Sequence, residues 1–130
     1  MQLFVASDYP AHNADPKTFT GKATINRVDG VARDPDINVY RVLFQPSART
    51  FWHIHTGPQI LLIIEGTCYL QREGNSIQKL SAGDVARVDP DEHHWHGASP
   101  NGPMVHLAVN VNITTNWFKP VTDQQYTGRA

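Results

Sequence analysis

Turn signals divide this chain into short apolar runs, and this rhythm restricts the fold more than any other feature of the sequence. Glycine, proline, asparagine and aspartate separate the runs roughly every 8 to 12 residues, which is the strand spacing of all-β folds. Ile37 to Phe44 is largely apolar on both faces, as expected for a strand inside a two-layered structure. Gln59 to Ile64 is β-branched and too short for an ordinary helix. Without a convincing amphipathic helix, the pattern predicts an all-β sandwich or barrel.

The length of 130 residues favours one domain with a continuous core. We predict an N-terminal arm at 1–18, much of it polar, and a single domain at 19–130. Within that domain, 29–36 is predicted to be a loop, 104–113 is predicted to be the last long strand, and one helical turn is expected at 122–126.

Charge and cysteine content exclude several classes of protein. The formal net charge is −1, with basic and acidic residues interspersed, so no basic surface is available for nucleic acid or an anionic membrane. Cys68 is the single cysteine, which rules out an internal disulfide and favours a reducing compartment. Met1 to Asp8 lacks the features of an export signal, and no run approaches the roughly 20 apolar residues of a membrane span. We therefore expect a cytoplasmic protein without membrane or nucleic-acid partners.

Histidines are concentrated in one part of the chain, because six of the seven lie between His53 and His106. On a strand, His53 and His55 point to the same face, so their imidazoles can converge on one ion. The Gly-Pro turn that follows returns the carboxamide of Gln59 toward the same point. A second histidine cluster spans Glu92 to His96. The pattern predicts a metal site made from two pairs of strands, although imidazole alone does not select among Mn, Fe, Ni, Cu and Zn.

The first histidine cluster resembles the first motif of the cupin superfamily, usually written G-x5-H-x-H-x(3,4)-E-x6-G. The match here is His53-x-His55-x3-Gln59-x6-Gly66. Glutamine stands where the family usually has glutamate, and Ser47 aligns with the leading glycine.

The second cluster resembles the second cupin motif, usually written G-x5-P-x-G-x2-H-x3-N. The match is Gly83-x6-Pro90-Asp91-x2-His94, with Ala98 at the terminal asparagine position. Together the two motifs imply a double-stranded β-helix, that is, a jelly-roll barrel with its site in the mouth.

A narrower resemblance links the chain to small bacterial monocupins that are often described with carboxymuconolactone decarboxylases. Besides Gln59, it is carried by Gly83 to Val85, His94 to Ala98, Met104 to Ala108 and Val121 to Tyr126. This subgroup includes the manganese-dependent cupin hydroxynitrile lyases, which join or split HCN and an aldehyde.

The resemblance implies a divalent transition metal, Mn²⁺ ahead of Fe²⁺, Zn²⁺ or Ni²⁺. The implied ligands are His53, His55, Gln59 and His94. Three neutral imidazoles and a neutral amide would leave the ion its full charge, which makes it a stronger Lewis acid than a site with glutamate.

The same resemblance, together with strand parity, suggests roles for the other polar residues. His106, and less favourably His96, is the candidate general base near neutral pH, with Thr50 as a hydrogen-bonding group. The candidate substrate-binding residues are Tyr40, Val42, Phe44, Trp95 and Asn110. Their structural alternatives are ordinary core packing for the apolar side chains and a buried, satisfied imidazole for each histidine.

The resulting hypothesis is a lyase of the hydroxynitrile type, acting on a small-molecule substrate. One alternative is an Fe(II)-dependent cupin dioxygenase or isomerase of a small oxygenated compound. Another is a non-catalytic cupin that binds a small molecule. The cupin resemblance also implies a homodimer or homotetramer assembled through the N-terminal arm.

Overall fold

Two antiparallel β-sheets make up the structure, a computed structural model that describes residues 1–128. The first sheet has the strand order β1-β3-β4-β12-β7-β10, and the second has the order β13-β6-β11-β5-β2, with β8 paired to β11 and β9 paired to β8. This architecture confirms the all-β prediction. The elements in chain order are a 3₁₀ turn (Ala6–Asp8), β1 (His12–Asn13), β2 (Phe19–Thr20), β3 (Ala23–Arg33), β4 (Asp36–Phe44), β5 (Arg49–Thr50), β6 (His53–His55), β7 (Gln59–Glu65), β8 (Thr67–Arg72), β9 (Gln78–Ser81), β10 (Val85–Val88), β11 (His94–Ala98), β12 (Met104–Val111), β13 (Thr115–Trp117) and α1 (Asp123–Tyr126).

The main hydrophobic core lies between the two sheets and is continuous with a polar end. Along β12 the side chains of Met104, His106, Ala108 and Asn110 are all buried. The apolar end of this row belongs to a cluster whose members come from both sheets: Phe19, Ala23, Ile25, Val42, Phe44, Ala48, Ile63, Cys68, Ala98 and Met104. Each fully buried large apolar side chain contributes roughly 1.5–3 kcal/mol. The apolar packing therefore fixes the strands that carry the polar residues at the other end.

The predicted loop at 29–36 is wrong, because most of it forms a hairpin. β3 continues to Arg33 and β4 begins at Asp36. A register shift between Val28 and Ala32 accommodates the polar and glycine-containing stretch, with Gly30 in the left-handed region at φ 68°. A bulge of this kind keeps the strands paired while it bends them, so turn-forming residues need not end a strand.

Several short strands carry little periodicity and were not predicted as such. His12 and Asn13, within the predicted arm, pair with β3. β13, at Thr115–Trp117, pairs with β6 and places Trp117 opposite His53. Strands of two or three residues have too few side chains to show an alternation.

The C-terminal turn closes against the second sheet. Thr122 and Gln125 form a capping box at the start of α1, which confirms the predicted helical turn. The Tyr126 hydroxyl donates to the Ala98 carbonyl at 2.6 Å, and the buried Arg49 guanidinium donates to Val121 O at 2.9 Å. The last two positions of the predicted domain lie outside the described residues. Within 1–128, no helix is long and apolar enough to cross a membrane.

Gly97 marks the closest approach between β11 and β5. A Cβ atom at this position would lie 2.5 Å from the Ala48 carbonyl oxygen and 2.5 Å from Cβ of Arg49. Gly97 is paired directly with Arg49. A side chain here would therefore displace the strand that carries His94 and His96.

Replacing Gly97 by alanine should lower the free energy of unfolding by about 1–3 kcal/mol, the usual cost of overpacking. Gly102→Ala is the matched control, since no atom lies within 4 Å of its Cβ position. Urea denaturation of the two variants measures the difference. Equal stabilities would contradict the close approach of the two strands.

Candidate metal centre

A cavity of about 330 Å³ opens between the sheets and collects most of the predicted site residues. Larger depressions elsewhere on the surface, of about 730 and 650 Å³, do not include them. The cavity is lined by Asp15, Thr18, Phe19, Ile25, Arg27, Asn38, Tyr40, Val42, Thr50, His53, His55, Gln59, His96, His106, Ala108, Asn110, Ile113, Thr115 and Trp117.

The backbone sets the tautomers of two histidines. Nδ1 of His53 lies 2.8 Å from the Phe51 carbonyl oxygen, and Nδ1 of His94 lies 2.8 Å from the Glu92 carbonyl oxygen. A carbonyl can only accept, so each neutral ring carries its proton on Nδ1 and its lone pair on Nε2. Because His53 and His94 are paired across β6 and β11, the two lone pairs are held close to a common point.

A third imidazole completes the tightest group. The ligand nitrogens of His53, His94 and His96 all lie within 4.8 Å of one another. The ring of His55 is also close, with its centroid 4.9 Å from those of His53 and His94, but its nitrogens fall outside this group. The sequence motif assigns His55 as a ligand, whereas the nitrogen positions group His96 with His53 and His94.

Gln59 reaches the cavity from β7 and is oriented by a neighbour. Its Nε2 donates to Oδ1 of Asn110 at 2.8 Å, and the two residues are paired across β7 and β12. Both side chains are buried. This hydrogen bond turns the amide nitrogen away and leaves Oε1 as the free atom.

Burial keeps the histidines neutral. It lowers the pKa of His55 to about 3, and the neighbouring His94 adds to the effect. It lowers the pKa of His94 to about 4, although the hydrogen bond to the Glu92 carbonyl opposes the shift. The pKa values of His53 and His96 are also lowered well below the usual value, first by burial and then by nearby histidines. Deprotonated imidazoles are the form that binds metal ions.

The donor set fits a divalent cation. Five buried side-chain atoms around this cavity have no hydrogen-bond partner: His55 Nδ1, Gln59 Oε1, His94 Nε2, His96 Nε2 and His106 Nδ1. Leaving a buried polar atom unsatisfied costs roughly 1–3 kcal/mol, and an ion would remove that cost for the nitrogen and oxygen atoms that coordinate it. Imidazole nitrogens with one amide oxygen suit a transition metal.

His106 lies beside this group and is coupled to it. Its Nε2 is 3.0 Å from Nδ1 of His96, so the two rings share one proton. The side chain of His106 is fully buried, which lowers its pKa to about 4. Thr50 is close by, because its hydroxyl oxygen accepts from the backbone N–H of His96 at 3.2 Å.

The predicted wall residues fall into two groups. Tyr40, Val42 and Asn110 line the cavity. Phe44 does not; it packs against the rings of His96 and His106, with centroids 6.2 and 5.2 Å away. It supports the histidines from the core.

Trp95 was predicted to bind substrate but does not line the cavity. It lies on β11 between His94 and His96, so the alternation of the strand points it to the opposite face. There it packs in a separate cluster with Trp52, Val121 and Tyr126.

Ten of the cavity residues were not predicted from the sequence, among them Phe19, Arg27 and Trp117. Phe19 and Trp117 come from the short strands β2 and β13, and Arg27 follows Ala23 and Ile25 on the inward face of β3. Of these three, only Arg27 had a usable signal, because its strand alternates regularly up to that point.

The cupin domain family matches residues 40–110. An (R)-mandelonitrile lyase from Granulicella tundricola is 39% identical over 114 residues, which cover 83% of this chain and 85% of that protein.

Solved structures give the same fold. A cupin-like protein from Thermotoga maritima is 32% identical, with a TM-score of 0.85 over 89% of this chain and 90% of that chain. The polyketide cyclase RemF from Streptomyces resistomycificus has a TM-score of 0.75 over 97% of this chain and 90% of that chain. At 15% identity, the second similarity concerns the fold alone.

Replacing Asn110 by leucine should weaken metal binding by about 10- to 100-fold, the usual effect of removing a group that orients a ligand. Without Asn110, the Gln59 amide can turn its nitrogen toward the ion. Asn38→Leu is the control, since Asn38 lines the same cavity but accepts from Gly30 N instead. Isothermal titration calorimetry with Mn²⁺ measures the affinity of both variants. Equal affinities would contradict the role of Asn110 in orienting Gln59.

The metal-free protein should lose stability in acid partly through His106. Its folded pKa of about 4 lies below the ordinary histidine pKa of 6.5, so between these limits the unfolded chain binds more protons. The contribution is fully present above about pH 6.5 and is lost as the pH falls toward 4. By pH 5, about 2 kcal/mol of this contribution has been lost.

Urea denaturation after chelation, at pH 7 and pH 5, tests this dependence. His106→Gln should show a smaller decrease in the free energy of unfolding between the two pH values than the parent protein. An equal decrease in the free energy of unfolding of both proteins would contradict the contribution assigned to His106.

Proposed function

The chain belongs to the cupin domain family, and from this premise we propose that it is a metal-dependent lyase that reversibly cleaves a cyanohydrin into an aldehyde and HCN. The relative named as an (R)-mandelonitrile lyase supports this reaction class. The observation that carries the proposal is the buried pair of His96 and His106, 3.0 Å apart, in the same cavity as the candidate ligands.

The candidate ligands are His53, His55, Gln59 and His94. When bound, a divalent ion with this neutral ligand set would supply Lewis-acid stabilisation of negative charge on a substrate oxygen. Mn²⁺ is the proposed ion, with Fe²⁺, Zn²⁺ and Ni²⁺ as alternatives.

Position favours His96 as the base that contacts substrate. Each ring has one buried nitrogen without a partner, Nε2 of His96 and Nδ1 of His106, since the other two nitrogens face each other. His96 is grouped with the ligand nitrogens of His53 and His94, and His106 is not. His106 would then orient the ring of His96 and share its proton. This reverses the order of preference drawn from the sequence.

In the proposed reaction, one proton moves from the substrate to His96 and then to cyanide. Nε2 of His96 takes the hydroxyl proton of the cyanohydrin, the C–O bond becomes a carbonyl, and the C–C bond to the nitrile breaks. Cyanide leaves with the electron pair of that bond. The imidazolium of His96 returns the proton to cyanide and forms HCN, so the base is regenerated.

Thr50 is placed to assist this step. Its oxygen already accepts a hydrogen bond from the backbone N–H of His96. A hydroxyl has one proton to donate, so the O–H of Thr50 remains available for the substrate oxygen or for the departing cyanide.

A three-histidine group also supports a second candidate. If His96 served as a ligand with His53 and His94, a site of three neutral imidazoles would suit Fe²⁺ and an oxygen-dependent reaction on a small oxygenated compound. The two functions differ in their need for O₂.

The assay is release of benzaldehyde from racemic mandelonitrile by the Mn²⁺-loaded protein, in air and under argon. We expect release that does not depend on oxygen. His96→Ala should lose about 10²- to 10⁴-fold in rate, as expected for a general base, and His106→Ala should lose less.

His93→Ala is the matched control for these variants, because His93 stacks on Trp52 at 4.9 Å and does not line the cavity. Failure of the metal-loaded protein to release benzaldehyde would contradict the lyase. Activity that requires Fe²⁺ and air would select the second candidate.

A further inference from the structure

Two aromatic residues flank the candidate centre, on the short strands β2 and β13 that pair with β5 and β6. β2 pairs with β5 and places Phe19 opposite Thr50. β13 pairs with β6 and places Trp117 opposite His53. Although they come from distant parts of the chain, the two rings approach to 6.3 Å between centroids, with an interplanar angle of 46°. Both line the cavity.

The side chain of Trp117 is more exposed to solvent than those of the other two tryptophans. It is 40% exposed, whereas Trp52 and Trp95 are 8% and 0% exposed. One side of it packs near His53, with ring centroids 4.5 Å apart. The indole also lines the cavity, and covering exposed apolar surface with an apolar group is favourable.

The neighbouring residue shows that this placement is specific. Phe118 is 49% exposed, but it lines a different depression and its ring contacts His93 with centroids 5.0 Å apart. Trp117 and Phe118 thus have similar exposure, and only Trp117 lines the histidine cavity.

The first sheet supplies an apolar surface to the same cavity. Ile25, Val42 and Ala108 are buried residues that line it. The volume of about 330 Å³ is at the lower end of the range for small-molecule pockets. It suits one ring that carries a small polar group, with the polar group beside Thr50 and His96.

We infer that Phe19 and Trp117 form an aryl-binding subsite, which selects carbinols with a single aromatic ring. The identity of the reacting carbinol as a cyanohydrin rests on the proposed function. Recognition of the ring rests on the aromatic pair and the apolar wall, so it can be tested without turnover.

Two unreactive alcohols of similar size serve as probes, benzyl alcohol and cyclohexylmethanol. Ligand-observed NMR titration of the Zn²⁺-loaded protein, in which the ion is diamagnetic, gives a Kd for each. The parent protein should prefer benzyl alcohol. Trp117→Leu should weaken the binding of benzyl alcohol by about five- to tenfold, since an aromatic contact is worth about 0.5–1.5 kcal/mol beyond area burial. The Kd of cyclohexylmethanol should change less.

Trp117→Phe and Phe118→Leu complete the set. Trp117→Phe should recover most of the preference because it restores an aromatic face. Phe118→Leu should leave both Kd values unchanged. Equal effects of Trp117→Leu and Phe118→Leu, or equal weakening of both alcohols by Trp117→Leu, would overturn the subsite.

A measurement on the unsubstituted protein covers the case in which Trp117→Leu does not fold. Benzyl alcohol should shift the indole N–H resonance of Trp117 by ring current. The indole N–H groups of Trp52 and Trp95, which donate to Gln125 and Gln71, should not shift. No shift at Trp117 under saturating alcohol would overturn the inference.

These outcomes separate the subsite from the lyase. Selective benzyl alcohol binding with no aldehyde release from mandelonitrile would retain the subsite and remove the proposed reaction. Aldehyde release with no dependence of benzyl alcohol binding on Trp117 would retain the reaction and remove the subsite.

Discussion

The candidate site depends on two hydrogen bonds to backbone carbonyls. The carbonyls of Phe51 and Glu92 each accept from Nδ1 of a histidine two residues away, and the pairing of β6 with β11 brings those histidines together. The backbone thereby fixes ring orientation, tautomer and spacing at once. Everything else in the cavity is arranged around the two Nε2 lone pairs that result.

The same arrangement leaves the protein with unsatisfied polar atoms. Burial keeps the imidazoles neutral. The hydrogen bond from Gln59 Nε2 to Asn110 leaves the Gln59 oxygen without a partner. In a core otherwise closed by Phe44, Ile63 and Met104, such atoms are destabilising unless something binds them. Stability and metal binding are therefore coupled in this fold, and the outer pair of His96 and His106 is held against the group by the same packing.

How much the sequence could predict depended on the length of the strands. β4, β7 and β12 have seven or more residues, so their alternation was visible and the all-β fold followed. The spacing of His53, His55 and His94 pointed to one metal site, and the structure brings their rings together. Trp95 was misassigned even though its parity relative to His94 was available. Phe19 and Trp117 could not have been found, because their strands are too short and their proximity depends on long-range pairing.

A crystal structure of the metal-loaded protein, with anomalous diffraction at the absorption edge of the bound ion, tests the central claim most directly. We expect one ion per chain bonded to His53, His55, Gln59 and His94, with Oε1 as the glutamine ligand and with His96 hydrogen-bonded to His106. An ion held by His53, His94 and His96, with Gln59 turned away, would contradict both the ligand assignment and the base assignment.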